Sequence, residues 1–351
     1  MSVVEIAIPK PGKPWEKKPS DHLKSFAAVL LTAAITHLII LITPLKGKLG
    51  YFVVFFVVAA VIAFVRQRIA KDLQAAKDSL LSTFSMLGMV LILLPIASII
   101  FTVFQKGLLG LHSQILTKDM ALASVNDPLE AGGLAHAIIG TFLLVFIALV
   151  ISFPLGLLTG LYLTEVRGKL TRPIRFLVQA MSGVPSIVAG LFILSAVIYP
   201  ITNSLSGFMG SLALTVLMIP TIARTSEEVL KLIPNELREA GVALGATQWR
   251  TVAMVVVPAA RSGLLTAVIL GIARVIGETA PILITTGGGD KTNLNPFEGA
   301  MGSLPFYIWK AFLTGGTPEA IARGWAGMLV LLVFIFILFG SARYISGKRS
   351  S

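Results

Sequence analysis

Two charged side chains stand inside an otherwise apolar run, Gly271-Ile272-Ala273-Arg274-Val275-Ile276-Gly277-Glu278-Thr279-Ala280-Pro281. A charge at the centre of a bilayer costs about 2.5–3.5 kcal/mol on insertion scales, so such residues need a structural or functional reason. Their spacing of four places Arg274 and Glu278 on one face of a continuous helix, where they can pair. Two readings stay open. The pair locks a helix bundle, or Arg274 supplies positive charge to an anion path and Glu278 restrains or releases it. A guanidinium fork matches oxyanion geometry, although charge alone does not separate one oxyanion from another.

A second constellation is a hydrophilic island, residues 223–258, between apolar runs. It contains Glu239-Ala240-Gly241, then Gly245, then Val255-Val256-Val257-Pro258. Thr225-Ser226-Glu227-Glu228 fits a capping box. Pro234 ends that helix, because proline disfavours helix in the residue before it. Asn235 can cap a second short helix through Leu244, with Gly245 as its left-handed terminator. Thr247 can cap a third, and Pro258 opens the next apolar helix. Ala240, Gly241, Ala243 and Ala246 offer a shallow surface for another protein, with Arg238, Glu239, Trp249 and Arg250 as interface anchors around it. An ordinary solvated loop with two caps fits these local features equally well.

Other chemistry is poorly supported. The chain has no cysteine, which rules out disulfides and thiolate metal sites. His22, His37, His112 and His136 lack ligand spacing, and no nucleophile–base set stands out. Gly287-Gly288-Gly289-Asp290-Lys291-Thr292 lacks the spacing of a phosphate-cradling loop.

The elements that must position these residues are membrane helices. The 351 residues are 55% hydrophobic and 13% charged, with a mean hydropathy of +0.87. A soluble chain of this length needs far more polar surface. With about 20 apolar residues per crossing, eight spans are expected near 26–44, 51–65, 80–104, 136–163, 176–200, 206–222, 259–284 and 324–344. The second and sixth are short, and Pro154 suggests a tilt or kink in the fourth. Gly183-Val184-Pro185-Ser186-Ile187-Val188-Ala189-Gly190 breaks the fifth, as a packing kink or as an unwound stretch lining a cavity. Gly156 and Gly160 form a small-xxx-small packing face.

The net charge of +12 lies in short segments between apolar runs, a membrane-loop pattern and not a nucleic-acid footprint. With eight spans the basic clusters fall on one side. They include Lys10, Lys13, Lys17, Lys18 and Lys24, then Arg66, Arg68, Lys71 and Lys77, then Arg167 to Arg175, Arg224 to Arg250, and Arg343 with Lys348 and Arg349. Both termini are thus expected to be cytoplasmic. No small-x-small cleavage site closes the first apolar run, so it reads as an uncleaved helix.

The gapped pattern from Glu239 to Pro258 resembles the coupling loop of ABC importer permeases, the element that docks on a separate ATPase. Four stretches resemble the A-type permease of the phosphate-specific (Pst) transport system: Gly183 to Gly190, Ile222 to Glu228, Ala273 to Pro281, and Ser303-Leu304-Pro305 with Ile308. The resemblance covers about residues 80–345. It implies an all-α polytopic bundle with a six-helix type I importer permease core at 79–345, preceded by a basic tail at 1–25 and two extra helices at 26–78, and followed by a tail at 346–351.

By the same resemblance, Arg274 and Glu278 lie on the substrate path, and Glu239, Ala240, Gly241, Gly245 and Pro258 couple to the ATPase. Alanine is usual in that family where Gly241 stands. The implied partners are a C-type permease subunit, two copies of an ATP-binding subunit that hold ATP and magnesium, an extracytoplasmic phosphate-binding protein and lipid. The implied location is the bacterial inner membrane, and the chain itself is expected to carry no cofactor and no ATPase activity. Rival readings are a permease for molybdate, sulfate or phosphonate, an ion-coupled secondary transporter, and a membrane subunit that only signals.

Overall fold

A computed structural model describes residues 19–45 and 47–347. Of the basic tail expected at 1–25, residues 1–18 lie outside the described residues, as do Lys348 and Arg349, while the rest of it begins α1. The described chain is helical, with no strand among its residues. It divides into two compact units, with the boundary between Ile100 and Phe101.

The first unit holds α1 (Pro19–Ile42), α2 (Lys48–Ala70) and the start of α3 (Leu73–Leu109). Ile40 packs with Val54 and Val58, flanked by Ile35, Ile39 and Ile62, so α1 covers one face of α2. His37 Nδ1 and the Tyr51 hydroxyl lie 3.0 Å apart at one end of this pair. The carboxylate of Asp72 accepts the Ala75 N–H at 2.7 Å and so caps α3.

The second unit is built around α7 (Gly207–Lys231), the most buried of the long apolar helices. Its neighbour α4 (Ala135–Leu161) continues as a π-helical turn, Tyr162–Val166. Gly156 and Gly160 are what lets these helices meet. A Cβ at 156 would lie 2.8 Å from Ile222 Cβ, and one at 160 would lie 2.9 Å from Ser226 Cβ. The expected packing face is therefore present, and α4 runs through Pro154 as one helix. Gly271 meets Ile222 and Met218 from the third side of α7. Leu144, Leu214, Leu217, Met218, Ile222 and Val275 form the heart of this core.

Two expected spans differ from single helices. The fifth is α5 (Thr171–Ser182) and α6 (Ser186–Ile193), with α6 extended by a π-helical stretch, Leu194–Thr202, and the two segments bent by 106°. Val184-Pro185 supplies the break, since Pro185 removes a backbone donor and pushes Val184 out of helical geometry. The seventh, expected at 259–284, runs as α11 (Arg261–Val275), stops, and resumes as α12 (Ala280–Thr285). Gly277 weakens the helix at this point, and Pro281 belongs in the first turn of a new one. α13 (Leu304–Thr314) and α14 (Pro318–Gly347) complete the unit. Among the described residues, five helices are long and apolar enough to cross a membrane, up to seven if each bent pair counts once. The segment Phe26–Ile42 is a shorter apolar helix.

At the N-terminal end of α4, loops 110–134 and 286–303 form an ordered cap. Met120 N–H donates to Asp290 O at 3.0 Å, and Thr292 N–H donates to Asp119 Oδ2 at 3.0 Å. Arg323, only 2% exposed, donates to Pro128 O at 2.6 Å and to Asp127 O at 3.2 Å.

Candidate functional site

The other end of α4 carries the hydrophilic island, now a helical hairpin. α8 (Asn235–Ala243) begins directly after Pro234 and closes at Leu244, with Gly245 in the left-handed region at φ 81°. α9 (Gln248–Thr251) is capped by the Thr247 hydroxyl, which accepts the Arg250 N–H at 3.4 Å. It continues through a π-helical turn, Val252–Val256, into the short α10 (Val257–Ala259). Pro258 sits in that last turn, and the chain bends by 73° into α11.

The expected capping box at Thr225 is absent, because α7 is continuous to Lys231. The local pattern yields to tertiary packing. Ser226 is fully buried against α4, and Glu227 pairs with Arg175 at 2.8 Å and with Lys231 at 3.0 Å. The connection therefore starts at Leu232, not at residue 223.

A clamp that sequence reasoning missed holds the hairpin in place. Arg238 Nη2 donates to Glu165 Oε1 at 2.8 Å, and its Nε donates to Oε2 at 3.0 Å. The same guanidinium donates to Leu230 O at 2.9 Å, in the last turn of α7, and to Ile233 O at 2.6 Å, just beyond the helix end. Gln248 Nε2 adds a bond to Glu165 O at 2.7 Å. Glu165 is 6% exposed and Arg238 21%. Arg238 is thus an internal brace joining α4, α7 and α8, not an outward anchor. Its partner lies 73 positions away, and no periodicity in the sequence connects them.

Gly241 is also internal. A Cβ there would fall 2.6 Å from Thr251 Cγ2, so glycine lets α8 close on α9. Ala240, Ala243 and Glu239 are exposed. The tip presents Leu244 at 89% exposure, Trp249 at 62% and Val242 at 57%. Beside them a groove of about 750 Å³ is lined by Glu165, Arg167, Arg238, Glu239 and Gln248.

Arg274 and Glu278 do not stack on one helix. Arg274 lies in the last turn of α11, exposed, where a cation complements the helix dipole. Glu278 follows the helix end and is half-buried. Among the described residues no ion pair joins them. The break between 275 and 280 removes the four-residue stacking that the sequence suggests. What the structure does bring together are the segments that follow the two breaks: a Cβ at Gly190 would lie 2.7 Å from Pro281 Cα, so α6 and α12 pack at backbone contact. The Gly183–Gly190 and Ala273–Pro281 stretches therefore meet in space. Among the described residues no cluster of His, Asp or Glu has metal-binding geometry.

A family model described as binding-protein-dependent transport system inner membrane component matches residues 152–351. Proteins named phosphate transport system permease protein PstA are similar to the chain over most of its length. One from Mycobacterium tuberculosis, named PstA 1, is 38% identical over 278 residues, 78% of this chain and 90% of its own length. Relatives from Mycobacterium leprae and Pasteurella multocida are each 36% identical over 78% of this chain, covering 91% and 96% of their own lengths. Among solved structures, inward-facing forms of the MetNI methionine ABC transporter share the fold. One has a TM-score of 0.51 at 22% identity, covering 61% of this chain and 95% of that one.

Proposed function

We propose that this chain, which belongs to the family of binding-protein-dependent transport system inner-membrane components, is the A-type channel subunit of an ATP-driven importer of inorganic phosphate. It is a multi-pass inner-membrane protein with no catalytic role of its own. The observation that carries the substrate is the 36–38% identity with PstA permeases over 78% of the chain. A second permease of the C type, two ATP-binding subunits and an external phosphate-binding protein complete the pump. Both termini face the cytoplasm, a reading supported by the clustering of basic residues on one set of loops. ATP and magnesium belong to the ATPase partners.

The residues suggest how force is passed. Leu244, Trp249 and Val242 expose apolar area at the hairpin tip, and burying one such side chain contributes about 1.5–3 kcal/mol. That patch, with exposed Glu239 and Ala240, docks on the ATPase. Gly241 and Gly245 keep the hairpin tight behind it. The Arg238–Glu165 brace makes the hairpin move as one body with the ends of α4 and α7. α7 packs on α11, whose last turn carries Arg274. Closure of the ATPase dimer shifts this set, opens the bundle outward and admits the anion. Hydrolysis resets it inward. Arg274, exposed on the isolated subunit, faces the channel shared with the second permease and offers its fork to phosphate. Glu278, beyond the helix break, limits how tightly the anion is held.

Assembly and coupling provide the test. The purified chain alone is expected to hydrolyse no ATP, and the complex to hydrolyse it. Glu239→Lys is expected to separate the ATPase from a membrane bundle that still inserts. ATP turnover by the single chain, or a fully coupled Glu239→Lys complex, overturns the assignment.

A further inference from the structure

We propose that the groove between α2 and the first half of α3 is a seat for one anionic phospholipid. The groove holds about 600 Å³, and its lining is almost wholly apolar. Phe52, Phe56 and Phe64 line it from α2, and Leu80, Phe84 and Leu91 from α3. α2 packs along α1 through its opposite face, at Val54, Val58 and Ile62, while α2 and α3 do not approach closely along their length. The space between them is therefore wide enough for a chain-like ligand and not merely a seam.

Helical periodicity carries both walls into positive charge. On α2 the stripe Phe56, Ala60, Phe64 continues at a step of four to Arg68, and Lys71 follows as the residue that closes the helix. On α3 the stripe Leu91, Leu87, Phe84, Leu80 continues backward to Lys77. All three cations are exposed. Of the nearby acids, Asp72 is taken up by capping α3, and Asp78 stands one position off the stripe beside Gln74 at 3.5 Å. From Leu80 to Leu91 the two-walled trough runs about 16 Å, at 1.5 Å per residue. That is about half of a 30 Å hydrocarbon layer, the depth one leaflet's acyl chains occupy. An apolar trough of leaflet depth with three cations at its mouth complements a lipid with an anionic headgroup, and a Lys or Arg at such a surface attracts one.

The wall chemistry argues against a protein helix as occupant. Helices associate in membranes through small residues that let backbones approach. Here only Ala60 and Thr83 are small among the groove's phenylalanines, leucines and valines.

The test uses the full chain in its assembled complex, reconstituted in lipid nanodiscs. Because the chain has no cysteine, Thr83→Cys gives it one site for a bimane label inside the groove, attached to the purified chain before its partners are added. Brominated phosphatidylglycerol is expected to half-quench the label at about a tenth of the mole fraction needed by brominated phosphatidylcholine, or less. In the triple variant Arg68→Gln, Lys71→Gln, Lys77→Gln the two curves should merge. Arg66→Gln, at the same helix end but on the groove of the α1 side, should keep the preference. Identical curves for both lipids without the triple change overturn the proposal and leave an ordinary lipid-facing surface. A label quenched by neither lipid also overturns it, since a protein segment then fills the groove. An unlabelled complex with Ala60→Trp gives a second readout. It is expected to retain less phosphatidylglycerol by native mass spectrometry, and unchanged retention contradicts the seat.

Discussion

Arg238 shows how much one side chain can organise. Its five donors serve a buried carboxylate and two helix-end carbonyls at once, a geometry that a lysine cannot reproduce. Arg238→Ala leaves Glu165 without its counter-ion, and breaking a buried pair this way costs about 3–5 kcal/mol, less here because the arginine is partly exposed. Thermal unfolding of the purified complex should show the loss, and Arg238→Lys should recover little of it. A double-mutant cycle with Glu165→Gln should give a clear coupling term; additive effects would mean that the brace contributes nothing. At Arg274 the expected change is functional. Arg274→Gln should nearly abolish phosphate uptake while the complex still assembles, and unchanged uptake would make this arginine dispensable. The sequence displays Arg274 and Glu278 because charge in an apolar run is conspicuous. It hides the Arg238–Glu165 pair, since both residues lie where charge is ordinary and only the fold brings them together. The stacked pairing suggested by the spacing of 274 and 278 fails for a related reason: spacing implies a shared face only while one helix spans both.

At the scale of elements, glycines decide how closely helices approach. Gly156→Leu would drive a side chain into Ile222 and separate α4 from α7, at a cost of about 1–3 kcal/mol for overpacking. Lower melting temperature and lower yield of the complex should follow, whereas Gly88→Leu, at a site with open space around its Cβ, should be neutral. Gly190→Leu would push α6 off the backbone of α12 and is expected to reduce uptake more than stability, because it disturbs the segment after Glu278. The loop cap has its own signature. Asp119 accepts backbone N–H bonds from Thr292 and Ala121, and these hold its carboxyl below the ordinary value of 3.8. A carboxylate with a lowered folded pKa stabilises above its unfolded pKa and loses that contribution as pH falls through the folded one. The stability gap between the native chain and Asp119→Asn should therefore be full at neutral pH and close below about pH 4, which melting curves across pH would reveal. Of these elements, the long apolar helices, the Thr247 cap and the Gly245 terminator were legible from pattern alone. The capping box at Thr225 was not a helix start, because burial of Ser226 and pairing of Glu227 carry α7 straight through it. The breaks after Ser182 and Val275 were signalled by proline and glycine, but only the packing of α6 on α12 explains why the chain tolerates both.

At the scale of the whole molecule, the proposed importer core works through its hairpin, brace and central helix, which transmit force to a channel that Arg274 would line. The N-terminal helices α1 and α2 precede this core, and the proposed lipid seat lies between α2 and α3. Composition alone places the chain in a membrane, and the basic loops suggest its orientation, yet substrate class rests on long stretches of similarity and not on any single residue. The most direct measurement is ATP-dependent uptake of labelled phosphate into vesicles carrying this chain with its C-type partner, ATPase and binding protein, with sulfate, molybdate and phosphonate as competitors. The account predicts uptake that requires ATP and is blocked only by unlabelled phosphate. An assembled complex that hydrolyses ATP but moves no phosphate, or moves another oxyanion in preference, would contradict it.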